Sequence, residues 1–369
     1  MKVLTVVGAR PQFIKAAVVS RTIPDFNARC RRDRQIREVM VHTGQHYDDN
    51  MSAIFFQELN MPAPAYHLGV GSGPHGQQTA RMLERLEPVM EQERPDLVLV
   101  YGDTNSTLAG SLTASKLRTP VAHVEAGLRS YNRAMPEEIN RVITDHLSAL
   151  LFCPTDRAVK NLSCEGIVTG VHRVGDVMYD SLLYNLARAD RRAGVLAELG
   201  LRPGQYGLAT IHRAETTDRP ETLACILSAL GRLGLPVVVP LHPRTRAVLD
   251  AAGVGHICRP VRLIAPVAYH EMLILERHAR LILTDSGGVQ KEAFLLGVPC
   301  ITLRNETEWV ETVEAGWNRV AGTTSEAVEA AARLALEEVR PERGQPYGDG
   351  HATEAILKIV ADYCQEKRS

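Results

Sequence analysis

Three acidic segments lie close together in this chain, Gly102-Asp103-Thr104, Val124-Glu125-Ala126-Gly127 and Pro136-Glu137-Glu138. Ionised carboxylates held near one another repel and raise one another's pKa, which suits a site that must both take and give protons near neutral pH. The first two segments directly follow short apolar runs that read as buried strands. In an open parallel sheet the strand C-ends converge on the ligand crevice, so Asp103 and Glu125 are expected to point at one site.

A second constellation is Asp285-Ser286-Gly287-Gly288-Val289-Gln290-Lys291-Glu292. It sits between an apolar run at 281–284 and a helix expected over 288–296, so Ser286, Gly287 and Gly288 would offer free backbone N–H groups to an anion at a helix N-terminus. Glu292, one turn further along the same face, would accept two adjacent ribose hydroxyls. The plainer reading is a tight turn whose glycines permit close helix packing, with Glu292 pairing a lysine. The Ser-Gly-Gly order at a helix start favours binding.

In Gly8-Ala9-Arg10-Pro11, Arg10 lies in the first turn and Lys15 one helical turn later, a pair of cations suited to a phosphate leaving group. Lys15 would alternatively neutralise the carboxylates, and Arg10 alone would also serve as a surface contact. His212-Arg213 and His242-Pro243-Arg244 each end an apolar run, at 207–211 and 237–241. A lone histidine is more often a satisfied core residue, but two in equivalent positions, each near an arginine, point to phosphate or sugar contacts. His46, His123 and His146 accompany the acids, yet no pair has the i, i+4 spacing of an H-E-x-x-H site, so no metal is expected. No G-x-S-x-G elbow, G-x-x-x-x-G-K-[ST] loop or G-x-G-x-x-G fingerprint occurs, which disfavours a serine hydrolase, a P-loop ATPase and a dinucleotide oxidoreductase.

Positioning these residues requires strand, turn, helix units. Strands are expected at 2–7, 96–101, 121–124 and 150–153, alternating with helices over 13–21, 106–116 and 137–147. The pattern restarts after Arg202-Pro203-Gly204, with strands at 207–211, 237–241, 281–284 and 299–303 and helices over 221–233, 245–252 and 288–296. The chain of 369 residues exceeds one typical core, which stops growing at roughly 250–300 residues. The expected architecture is α/β, with two Rossmann-like doubly wound domains facing across a cleft. The first spans 1–175, the second 176–351, and a C-terminal helix within 352–369 packs back on the first.

With 42 basic and 43 acidic residues the formal charge is −1, which gives no general field for nucleic acid or an anionic membrane. The arginines between 29 and 37 are interrupted by Asp33 and Glu38 and read as a solvated loop. Seven cysteines without a C-x-x-C pair argue for a reducing compartment. The apolar run at 3–7 is too short for a signal peptide and no 18-residue apolar stretch occurs, so a soluble, cytoplasmic protein is expected.

Taken together, Gly8-Ala9-Arg10-Pro11 with Lys15, Gly102-Asp103-Thr104, His123-Val124-Glu125-Ala126-Gly127-Leu128-Arg129, Pro136-Glu137-Glu138-Ile139-Asn140-Arg141, His212-Arg213 and Thr284-Asp285-Ser286-Gly287-Gly288 closely resemble the non-hydrolysing UDP-N-acetylglucosamine 2-epimerases. The six separated motifs stand in the family's order over nearly the whole chain. The resemblance implies a glycosyltransferase-B type fold, a homodimer, and interconversion of UDP-GlcNAc and UDP-ManNAc without a redox cofactor. It further implies anti elimination of UDP to a 2-acetamidoglucal, then re-addition with the opposite configuration at C2. By the same resemblance Asp103, Glu125 and Glu137 form the acid/base set, His212 and Arg10 lie near the diphosphate, and Lys15 lies beside the acids.

The familiar bacterial enzymes carry an arginine where this chain has Trp309 in Thr307-Glu308-Trp309-Val310-Glu311. That segment and Val41-His42-Thr43-Gly44-Gln45-His46-Tyr47-Asp48 look more like the branch that includes UDP-2,3-diacetamido-2,3-dideoxyglucuronate 2-epimerases, whose sugar carries a C6 carboxylate. Gln45 and His242 only partly match the site at which UDP-GlcNAc activates bacterial members. Three rivals remain: a retaining glycosyltransferase using a UDP-sugar, which needs an acceptor; a hydrolysing epimerase, which releases UDP one for one with free sugar; and a non-catalytic UDP-sugar sensor.

Overall fold

The computed structural model describes residues 1–45, 61–189, 194–241, 243–251 and 260–367. The chain divides into two compact units, Met1–Ser181 with Gln345–Ser369, and Leu182–Gly344.

The first unit is built on a parallel sheet of seven strands among the described residues: β1 (Lys2–Val7), β2 (Arg37–His42), β3 (Tyr66–His67), β4 (Leu97–Tyr101), β5 (Val121–Val124), β6 (Leu150–Cys153) and β7 (Val171–Arg173). Their spatial order is β3-β2-β1-β4-β5-β6-β7. The strands are buried on both faces, and the period of two divides each between two cores. Val3 and Val7 of β1 join one core with the helices Arg10–Arg29 and Ala352–Glu366, while Leu4 and Val6 join the other with His75–Glu93 and Asn105–Lys116.

The second unit repeats the plan with β8 (Gly207–Thr210), β9 (Val237–Pro240), β10 (Val261–Ile264), β11 (Leu281–Thr284), β12 (Cys300–Thr302) and β13 (Asn318–Val320), in the order β10-β9-β8-β11-β12-β13. Ala209, Val237, Val239 and Leu283 pack on one side with the helices Pro220–Gly231 and Ser325–Glu337. Leu208, Val238 and Ile282 pack on the other with Tyr269–His278 and Gly287–Leu296.

Both units are thus doubly wound α/β sheets, as expected. Strands β2, β3, β7, β10 and β13 escaped the sequence reading because they are short or carry charged residues such as Arg37, Glu38, Arg262 and Arg319. The first helix runs well past the expected 13–21 and through Pro24. Its apolar face, Phe13, Ala16, Ala17, Val19 and Ile23, stays on the core, which outweighs the one backbone bond that proline removes.

Topology also decides where ligands go. Strand order reverses between β1 and β4 in the first sheet and between β8 and β11 in the second. In open α/β sheets such reversal points, at the strand C-ends, form the ligand crevices.

Candidate active site

At the first reversal point the chain leaves β1 through Gly8 and Ala9. A Cβ on Gly8 would lie 2.1 Å from both Thr43 Oγ1 and Ser106 Oγ, so only glycine fits. The fully buried Gln12 amide closes the turn: its oxygen accepts from the N–H groups of Gly8 (2.8 Å) and Ala9 (3.1 Å), and its nitrogen donates to Tyr101 O (2.9 Å) and Thr107 Oγ1 (3.0 Å). The first turn and the end of β4 are thereby held as one piece.

One turn further along, Lys15 Nζ forms a buried ion pair with Glu125 Oε2, their side chains 11% and 8% exposed. The open question about Lys15 is answered by this contact, since the ammonium sits on the carboxylate. Glu125 follows β5 in the left-handed region, at φ +73°. A non-glycine residue there is strained by about 1–3 kcal/mol, a feature that concentrates at functional sites. The amides of Glu125 and Ala126 both donate to Phe152 O at 3.1 Å, which anchors the turn to β6. Gly102, at φ +62°, lies beside the pair: a Cβ there would meet Glu125 Oε2 at 3.3 Å and Lys15 Nζ at 3.4 Å.

Asp103 comes next and accepts from Arg141 Nη2 at 2.6 Å, while Arg141 Nη1 donates to Glu138 Oε2 at 2.8 Å. Asn140 Nδ2 donates to the Asp103 carbonyl at 2.9 Å. Arg141 is raised above its usual value: burial opposes this, but the charges of Asp103 and Glu138 prevail. The guanidinium is a fixed cation between two acids.

Glu137 and Glu138 are neighbours with opposite fates. Glu138 is buried and accepts from the N–H and hydroxyl of Ser130 and the N–H of Tyr131. Burial would raise its carboxyl, but these bonds and Arg141 bring it below the usual carboxylate value. Glu137 is half-buried and has no ion pair or hydrogen bond among the described residues. The structure therefore gathers Lys15, Asp103 and Glu125 at the first reversal point, with Glu137 on the helix Pro136–Leu147 that supplies Arg141. Arg10 begins the first helix, but its side chain lies outside the described residues.

At the second reversal point the buried Asp285 organises the turn. Its carboxylate accepts from the N–H groups of His212 (3.1 Å) and Arg213 (3.0 Å), and His212 Nδ1 lies 3.0 Å from it. The imidazole of His212 is otherwise exposed. Ser286 caps the helix Gly287–Leu296, and Thr284 Oγ1 accepts from the Ser286 N–H at 2.9 Å. Gly287 and Gly288 form the first turn, as an anion site requires. Glu292 is buried one turn on and accepts from Tyr269 Oη at 2.9 Å. Close by, the fully buried Glu276 carboxyl is pushed well above its usual value by burial and by the charge of Glu292.

Gln45 Oε1 accepts from the Ser106 N–H (3.1 Å) and hydroxyl (2.7 Å), whereas His46 to Asp48 and His242 lie outside the described residues. Trp309 is buried, and Lys291 Nζ sits 4.0 Å from its ring centroid, so a cation occupies the neighbourhood where the sequence had removed one. Among the described residues no cluster of His, Cys, Asp or Glu could hold a metal ion, and no helix is long and apolar enough to cross a membrane.

Sequence reasoning missed Gln12, Arg141 and the orienting role of Asp285. Arg141 alone left a local signal, three residues after Glu138 and four after Glu137, hence beside both on the helix.

A family model described as UDP-N-acetylglucosamine 2-epimerase matches residues 28–361. A Methanococcus maripaludis protein named UDP-N-acetylglucosamine 2-epimerase homolog is 53% identical over 89% of this chain and 90% of its own. The UDP-2,3-diacetamido-2,3-dideoxy-D-glucuronate 2-epimerase of Pseudomonas aeruginosa is 49% identical over 98% of this chain and 99% of its own. The crystal structure of Methanocaldococcus jannaschii UDP-GlcNAc 2-epimerase in complex with UDP-GlcNAc and UDP is 43% identical, with a TM-score of 0.84 over 98% of this chain and 100% of that one. On the family match and on relatives that align from end to end, this chain belongs to the UDP-N-acetylglucosamine 2-epimerase family.

Proposed function

We propose that the chain is a non-hydrolysing UDP-sugar 2-epimerase that interconverts UDP-N-acetylglucosamine and UDP-N-acetylmannosamine by elimination and re-addition of UDP. The observation that carries this reading is the acid-rich reversal point of the first unit, where Asp103 and Glu125 each face a fixed cation and Glu137 stands unpaired among the described residues. A retaining glycosyltransferase has less need of three acids there.

The chemistry follows from the inventory. A carboxylate takes the C2 proton, the C–H electrons become the C1=C2 bond, and the C1–O bond breaks with its electron pair leaving on UDP. The glycal then receives a proton at C2 from the other face while the UDP oxygen re-forms its bond to C1, so C2 is inverted without redox change. We assign the proton transfers to Asp103, Glu125 and Glu137. Lys15 and Arg141 each set a cation against one of these acids, Glu125 and Asp103. We assign the nucleotide to the second unit, with diphosphate at Ser286, Gly287 and Gly288, ribose at Glu292, and His212 and Arg213 as diphosphate partners. The N–H donors at the helix start and the exposed His212 ring support that assignment.

A second reading is 2-epimerisation of UDP-2,3-diacetamido-2,3-dideoxyglucuronate. It is favoured by the full-length Pseudomonas relative. We further propose a cytoplasmic homodimer. The helix Pro136–Leu147 turns Glu138, Asn140, Thr144 and Asp145 inward and leaves Ile139 and Ile143 exposed, an inverted pattern that a second copy would cover.

The test is proton NMR of the purified protein with UDP-GlcNAc in deuterated water, following the C2 proton and the anomeric signals. A manno product deuterated at C2, with little free UDP, is expected. UDP binding without exchange on this sugar, but exchange on the diacetamido-glucuronate, establishes the second reading. UDP release matched one for one by free sugar, or no exchange on either substrate, refutes the proposal.

A further inference from the structure

His123 is fully buried on β5, yet both its ring nitrogens face acceptors. Nε2 lies 2.8 Å from Gly102 O and Nδ1 lies 2.7 Å from Asp145 Oδ1. A carbonyl oxygen only accepts, so the Gly102 contact takes a ring N–H. Burial would raise the Asp145 carboxyl, but the His123 hydrogen bond and charge and the Arg129 guanidinium bring it below the usual carboxylate value. Asp145 also accepts from Arg129 Nη1 at 2.7 Å, and Arg129 holds Glu165 through Nε (2.7 Å) and Nη2 (2.8 Å).

What this network touches is informative. The Gly102 carbonyl belongs to the peptide that leads into Asp103, and the Gly102 N–H donates to Val124 O at 3.0 Å. Asp145 Oδ2 accepts at 3.1 Å from the N–H of Gly127, two residues past Glu125. We propose that His123 is a positioning residue for the reaction: held between the Gly102 carbonyl and Asp145, its ring fixes the turn that presents Asp103 and, through Asp145, the turn that presents Glu125. The ring touches neither acid side chain in any recorded hydrogen bond, so it acts through the backbone of both turns. The inference rests on the reading that Asp103 and Glu125 carry the proton transfers.

Two measurements test it. In His123→Asn a single amide must serve acceptors on opposite sides of the ring, so one turn is released. Turnover is expected to fall about 100-fold, the effect of roughly 1 Å of misplacement, while KM and UDP affinity stay near wild type and the melting midpoint falls, since the buried Asp145 loses a partner. Wild-type turnover, or loss of UDP affinity in step with turnover, overturns the proposal. The second measurement uses the unaltered protein labelled with 15N-histidine. Hydrogen-bonded 15N shifts are expected for both ring nitrogens of His123, and a ring nitrogen with the shift of an unbonded site overturns the proposal even if the variant fails to fold. If the wild-type protein does not epimerise UDP-sugars, the functional reading falls on its own, and the nitrogen spectrum still decides the state of the ring.

Discussion

Replacing Lys15 by methionine keeps the length of the side chain and removes its charge, leaving Glu125 buried without its cation. Both side chains are about one-tenth exposed, 11% and 8%, so water replaces little of the lost contact. Breaking such a pair from one side is worth about 3–5 kcal/mol, which for a unit of this size lowers the melting midpoint by about 6–20 °C. The pH dependence gives the sign. Burial disfavours the charged form of an acid that has lost its cation, so the deficit belongs to the ionised carboxylate and shrinks as pH falls and the carboxyl protonates. Thermal unfolding of the wild type, Lys15→Met and the double variant Lys15→Met with Glu125→Gln, each from pH 5 to 8, checks this. The double variant, which buries no unpaired charge, is expected to recover most of the loss. Equal midpoints for wild type and Lys15→Met at pH 8, with UDP affinity reduced instead, would refute the reasoning and return Lys15 to the phosphate.

Asp103→Asn and Glu137→Gln are each expected to lower turnover by roughly 100-fold or more while UDP still binds, as steady-state rates and calorimetric titration would show; wild-type turnover in either removes that residue from the mechanism. Glu138→Gln is expected to destabilise the first unit at neutral pH. Because the folded pKa of Glu138 is lowered, its contribution is present above the unfolded value and disappears as pH falls through the folded one, so acid unfolding curves of variant and wild type should converge at low pH. The pair Ile139→Asp with Ile143→Asp is expected to convert a dimer into monomers in sedimentation velocity runs without unfolding the chain, and unchanged sedimentation would place the interface elsewhere.

Asp103 and Glu125 were legible because each follows an apolar run that ends abruptly, and in a parallel sheet that position aims a side chain at the crevice. Their partners were not. Arg141 meets Asp103 across 38 positions, His123 meets Asp145 across 22, and Gln12 meets Tyr101 across 89, and no local period encodes such pairings. The same limit explains the reading of Trp309 as a lost cation. On the sequence it stands where related enzymes have arginine, while in space Lys291, eighteen positions earlier, lays its ammonium over the indole. Edge and short strands such as β3 and β13 were missed for a different reason: two or three residues carry too little alternation to register, and pairing with a longer neighbour makes them strands.

The two sites share one physical logic. At each reversal of strand order a buried carboxylate binds the neighbouring turn: Asp285 takes the N–H groups of His212 and Arg213, and Asp145 takes the N–H of Gly127 and the ring of His123. Such acids are hydrogen-bonded on both oxygens and stay out of the chemistry. Of the acids assigned to proton transfer, Asp103 meets the Arg141 cation, Glu125 meets Lys15, and Glu137 meets no ion pair among the described residues. Counting the backbone donors that a carboxylate already satisfies therefore sets the positioning acids, Glu138, Asp145 and Asp285, apart from Asp103 and Glu137. The division would fail if Glu138→Gln abolished turnover while leaving the acid unfolding curve unchanged.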